Sequence, residues 1–237
     1  MKTILFIEDN FENFKRFSKM FEANRFAVYP NINEVCDEEG LNDFLGKPIE
    51  TIGGFNEYCN IYLNNLRKSV FNYINSNNLF EKLSLIVLDI NLTGESEETL
   101  GLRLLSSLRT DFVPKNEKYK GWNSLIPVIA LTWYDKKYYE HEFKNYPGYL
   151  FGLFEKKHVK ADSSSIITDM NNFHEQMLAI KPLFFDLELK NLLIKINKQE
   201  KYLKEIKQIS KLILFAEIAQ MPAEKRNAFA DNFTKEL

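Results

Sequence analysis

A chain of 237 residues with 45% hydrophobic and 27% charged side chains has the make-up of a soluble globular protein, long enough to bury a real core. Its net charge of −2 excludes a global electrostatic attraction to nucleic acid or to an anionic membrane. No window approaches the roughly 18 apolar residues of a membrane span, and the opening run Ile4–Ile7 is too short for a signal-peptide core.

Thr3–Ile7 is a continuous apolar run that stops at Glu8 and Asp9, as a fully buried strand does at its carboxyl end. Phe14, Phe17 and Phe21 then recur at helical spacing, so residues 11–24 predict a helix. Arg25–Tyr29 predicts a short strand ending at Pro30. Residues 31–54 show no clear period and hold four glycines and a proline, which predicts an irregular insertion. From Tyr58 to Ile74 the apolar residues fall at helical steps, giving a helix over about 55–76.

Leu83–Leu88 is the next buried-strand candidate and ends at Asp89. Residues 97–110 read as a helix, and 111–124 as a second surface insertion. Leu125–Leu131 is a third strong strand, closing on Thr132, and Tyr149–Phe154 a weaker one, closing on Glu155, Lys156 and Lys157. A helix over about 163–180 ends before Pro182. Residues 182–237 predict a helical extension with an apolar stripe, and Pro222 opens its last short helix.

Strands alternating with helices imply an α/β fold with a parallel sheet covered on both faces. Ligands of such sheets bind outside the carboxyl ends of the strands, where the strand order reverses. Glu8 and Asp9, Asp89, Thr132 and a lysine each close one strand, so all of them converge on that edge. Three carboxylates brought together at neutral pH repel, and must take up protons or hold a cation. A hard, oxygen-rich pocket suits Mg²⁺. Beside such an ion Asp89 is a nucleophile able to hold a phosphoryl group, with an ammonium and a hydroxyl to meet the added charge.

The run Ile4-Leu5-Phe6-Ile7-Glu8-Asp9-Asn10 resembles the first strand and acidic pair of response-regulator receiver domains. Leu85 through Gly94 resembles the family's phosphoacceptor strand and loop, Ile126 through Thr132 its fourth strand with a switch hydroxyl, and Phe154-Glu155-Lys156 the end of its fifth. The resemblance covers residues 1–181, with insertions at about 31–54 and 111–124, and leaves 182–237 as the extension. It implies a doubly wound, flavodoxin-like sheet of five parallel strands in the order 2-1-3-4-5. It also implies that Asp89 is the phosphoacceptor, that Glu8, Asp9, Asp89 and the backbone carbonyl of Asn91 hold Mg²⁺, that Thr132 contacts the phosphoryl group and that Lys156 pairs with it.

The chain departs from the family in several places. Asp9 and Asp89 are nearly twice as far apart in sequence as is usual. Thr93 stands where the loop usually has proline, bulky Trp133 follows Thr132, and Lys157, not proline, follows Lys156. Lys157 therefore stays open beside Lys156 as the phosphate-pairing lysine.

Three functions are weighed. The first is a cytoplasmic signalling receiver, a regulatory phosphoacceptor and not an enzyme in its own right. A histidine kinase or small phosphodonor would modify it, and a downstream protein partner would read the change. The second is a pseudo-receiver that works by protein contacts alone. The third is an aspartate-nucleophile phosphohydrolase, for which Asn91 stands where a second aspartate is expected. The C-terminal stripe suggests docking or a homodimer. It carries no recognition-helix pattern, so no nucleic-acid partner is expected, and the lack of any apolar window of span length leaves no membrane partner expected either. Cys36 and Cys59 fit neither a disulfide framework nor a zinc site and read as reduced thiols, and His141, His158 and His174 show no metal-ligand spacing.

Overall fold

The computed structural model describes residues 2–48, 54–93, 99–116, 119, 126–135, 139, 152–159, 164–181, 221–222, 224–225 and 228. Its strands are β1 (Lys2–Ile7), β2 (Phe26–Tyr29), β3 (Leu83–Asp89), β4 (Val128–Thr132) and β5 (Gly152–Glu155). They form one parallel, flavodoxin-like sheet in the order β2-β1-β3-β4-β5, and that order fits a receiver domain.

The continuous apolar runs become the central strands because both of their faces are covered. Every residue of β3 and β4 is buried, as is β1 beyond Lys2. Helix α1 (Phe11–Ala23) packs on β1 and β2. Its Phe14, Phe17 and Phe21 surround Phe6 of β1 with centroids 5.4, 6.2 and 5.5 Å away, one stacked and two edge-on. Such pairs add about 0.5–1.5 kcal/mol each beyond the area they bury. Asn10 caps α1 by accepting from Asn13 N at 2.9 Å, so the chain turns from strand to helix within three residues of the acidic pair.

Residues 31–54 are not irregular throughout. They contain α2 (Glu38–Leu45), which Asp37 caps through Gly40 N at 2.8 Å and which buries Leu41 and Leu45, one turn apart on the same face. Gly46 ends it at φ +64°, where a Cβ would meet Ser69 Oγ at 2.8 Å. Helix α3 (Phe55–Ser76) follows, packing on α2 and on α4 (Leu100–Thr110). Helix α5 (Ser164–Ile180) packs on β3.

The segment 111–124 is not wholly a surface excursion either. Phe112 is buried, stacks on Phe80 at 4.6 Å and meets Phe71 edge-on at 5.0 Å, and Tyr119 is buried too. Most of 182–237 lies outside the described residues, and with it the apolar stripe. At Pro222 the structure gives one helical-type contact, Lys225 N donating to Pro222 O at 2.9 Å.

Candidate functional site

Strand register assembles the site. Ile7 pairs with Leu88, so the next residues, Glu8 and Asp89, stand side by side at the carboxyl edge. Asp89 pairs with Leu131 and Thr132 with Glu155, so Thr132 and Lys156 complete the row. Because β1 sends its neighbours β2 and β3 to opposite sides, the gap between β1 and β3 is where strand order reverses. The acids straddle it.

Glu8, Asp9 and Asp89 each place a carboxylate oxygen within 4.8 Å of the others, a group that could hold a metal ion. Lys156 Nζ lies 2.5 Å from Asp89 Oδ2 and 2.7 Å from Glu8 Oε2, and Lys156, Glu8 and Asp89 are all buried. Lys157 instead turns outward to Glu155 Oε2 at 3.2 Å. A short 3-10 turn over Lys156–His158 separates the two ammoniums, sending the first inward and the second out.

One buried ammonium cannot balance three carboxylates. Burial raises the Glu8 carboxyl well above its ordinary range, the Asp89 charge adds to this, and Lys156 offsets it only in part. Burial and Asp89 likewise push the Asp9 carboxyl up to about 7. Burial alone would lower the Lys156 ammonium, yet Asp89 and Glu8 beside it prevail and hold it above its usual value. The directions for Glu8 and Lys156 pull against each other if read as one ion pair. They agree once the whole cluster is counted, because it is short of positive charge.

Glu8 Oε2 has the Lys156 ammonium as its ion-pair partner at 2.7 Å and takes no further donor among the described residues. An all-oxygen donor set with such an underserved oxygen fits a hard cation.

Thr132 is fully buried; its Oγ1 donates to Asn91 Oδ1 at 3.2 Å and accepts from Tyr134 N at 3.0 Å. Asn91 N donates to Asp89 Oδ1 at 3.2 Å, which ties the loop to the carboxylate. Trp133 is half-exposed at the mouth, with the Arg16 guanidinium 5.6 Å and the Lys156 ammonium 6.0 Å from its ring. A cavity of about 380 Å³ opens over the acids, with Trp133 and Lys47 also in its lining.

Three features of the site were not foreseen from the sequence. The Tyr139 hydroxyl donates to Asn91 Oδ1 at 2.7 Å, and the tyrosine is fully buried. Lys47 Nζ lies 3.7 Å from Asp9 Oδ2. Gly101, in the first turn of α4, sits so close to the end of β3 that a Cβ there would be 2.0 Å from Asp89 O. For Gly101 a signal existed, a helix-weakening residue kept inside a predicted helix. Tyr139 and Lys47 lie in stretches without a period.

No protein-family model matches the chain, and no curated protein matches it. Among solved structures it is similar to a bacteriophytochrome response regulator at 16% identity, over 72% of this chain and 78% of that one, with a TM-score of 0.36. A likeness of that degree carries no weight for function. No helix among the described residues is long and apolar enough to cross a membrane.

Proposed function

We propose that this chain is a signalling receiver that takes a phosphoryl group on Asp89 in a Mg²⁺-dependent reaction, with residues 1–181 as the receiver unit and 182–237 as an appended segment. The observation that carries the reading is three carboxylates gathered under one buried lysine at the strand-order switch point. Glu8, Asp9 and Asp89, with the backbone carbonyl of Asn91, would hold the ion. When bound, it supplies positive charge that offsets the acids and the incoming phosphoryl oxygens.

The chain's own groups do the rest. Asp89 attacks phosphorus, so a carboxylate O–P bond forms while the donor's bond to phosphorus breaks, and the leaving group departs with that electron pair. Lys156 stays beside Asp89 and pairs with the transferred group. Thr132 turns its hydroxyl from Asn91 Oδ1 to a phosphoryl oxygen, which frees the Asn91 contact and changes the surface that a partner protein reads. A histidine kinase or a small acyl phosphate would be the donor, and the protein is regulatory, acting in the cytoplasm.

A pseudo-receiver is the second reading, favoured by bulky Trp133, which lines the cavity over the acids and carries the Arg16 guanidinium 5.6 Å from its ring. Phosphohydrolase chemistry gains no support, since the Asn91 side chain is engaged with Thr132 and Tyr139.

Calorimetric titration with Mg²⁺ separates the readings. A receiver shows one site that Asp9→Asn and Asp89→Asn each weaken by at least about tenfold, the cost of one charge-assisted contact. A wild type that takes up no divalent ion contradicts the receiver.

A further inference from the structure

The acid cluster has a second cation, and the segment between β2 and α3 supplies it. Lys47 follows the left-handed Gly46 that ends α2, and its own backbone is fixed by Lys47 N donating to Asn42 O at 2.9 Å. The turn is pressed against α3, where Ser69 and Asn65 leave no room for a Cβ at Gly46. The backbone is therefore pinned, and the four-carbon side chain reaches from it to Asp9.

Its ammonium lines the same cavity as Glu8, Asp9, Asp89 and Lys156. The two lysines are held very differently. Lys156 is buried and touches two carboxylates at 2.5 and 2.7 Å, whereas Lys47 is 28% exposed and stands 3.7 Å from one. A partly exposed contact of that length is weak and easily exchanged.

Resting on the receiver reading above, we propose that Lys47 is a displaceable cation serving two states of the cavity. It sits on Asp9 until a divalent ion takes that carboxylate, and it then turns to the phosphate oxygens of the incoming donor. A cavity whose floor carries three acids repels a phosphate dianion. An ammonium released from Asp9 into the cavity that Lys156 also lines gives the donor a place to bind. Lys47 is thus a specificity-determining residue for an anionic phosphodonor, and it makes this site resist divalent ions more than its acids alone would.

The test uses the full chain as wild type, Lys47→Met and Lys47→Arg. Mg²⁺ affinity is read by calorimetry without donor, and the acetyl phosphate concentration giving half-maximal phosphoryl uptake is read by intact mass at saturating Mg²⁺. Lys47→Met should bind Mg²⁺ about twofold to fivefold more tightly and need about twofold to fivefold more acetyl phosphate, the range expected for losing one partly exposed charge contact. Lys47→Arg should stay near wild type in both. If Lys47→Met lacks either shift, the proposal is overturned. A wild type inert to both Mg²⁺ and acetyl phosphate overturns the receiver reading itself, and this inference with it.

Discussion

Tyr139 donates its buried hydroxyl to Asn91 Oδ1 at 2.7 Å, and the same oxygen receives Thr132 Oγ1 at 3.2 Å. A single acceptor thus joins the end of β4, the loop after β3 and the residue at 139. Because Asn91 N also holds Asp89 Oδ1, the three side chains report on the carboxylate itself.

That shared acceptor makes the two hydroxyls interdependent. Tyr139→Phe and Thr132→Val should each lower unfolding free energy by about 1 kcal/mol in denaturant melts, the net worth of one buried hydrogen bond. The double variant should lose at least about 0.5 kcal/mol more than the sum, because only then does the buried Asn91 oxygen lose both of these hydroxyl donors at once. Strict additivity would show that the hydroxyls do not act through a common oxygen.

The raised acids set the pH response. In the native state the Asp9 carboxyl is held at about 7 against 3.8 for the free group, so the folded chain binds its proton more tightly than the unfolded chain does. Its contribution to stability is full below about pH 4 and is lost as pH rises through about 7. Glu8 is shifted in the same direction. Urea melts in chelator should therefore show this site weakening the fold between about pH 4 and pH 7, and excess Mg²⁺ should reverse the trend at the upper end. Wild type and Asp9→Asn with identical pH profiles would contradict it.

Lys156 is the one buried cation among the described residues of the cluster. Lys156→Met leaves three carboxylates facing one another and should cost about 3–5 kcal/mol at about pH 8, as breaking a buried ion pair does. At about pH 5.5, below the value of about 7 to which Asp9 is raised and with Glu8 shifted in the same direction, at least half of that loss should be recovered. Thermal melts at the two pH values decide, and an equal loss at both would mean that packing, not charge, is the lysine's main role.

Gly101 is needed for closeness. A methyl group at that position would lie 2.0 Å from Asp89 O, and Gly101 N donates to Ile90 O at 3.0 Å, so the first turn of α4 cannot back away without breaking that bond. Gly101→Ala should cost about 1–3 kcal/mol by overpacking and weaken Mg²⁺ binding by shifting the Asp89 backbone. Undiminished Mg²⁺ affinity in a folded variant would show that the shift does not reach the carboxylate.

The central strands were legible because a strand buried on both faces reads as an unbroken apolar run, and its carboxyl end is marked by the first polar residue. Glu8, Asp89 and Thr132 were located in that way, and register then placed them side by side. Strand β5 is short and largely half-buried, so its end is not sharply marked, and only the inward turn at Lys156 distinguishes it from Lys157. Helix α2 escaped notice because two turns with one buried leucine pair give no sustained period. Lys47 and Tyr139 owe their positions to long-range packing that spacing does not encode.

The most direct measurement is intact mass after incubation with acetyl phosphate and Mg²⁺, with Asp89→Asn and a chelator arm alongside. The account predicts one added phosphoryl group in the wild type and none in either control. An unmodified wild type, or an addition that persists in Asp89→Asn, would contradict it.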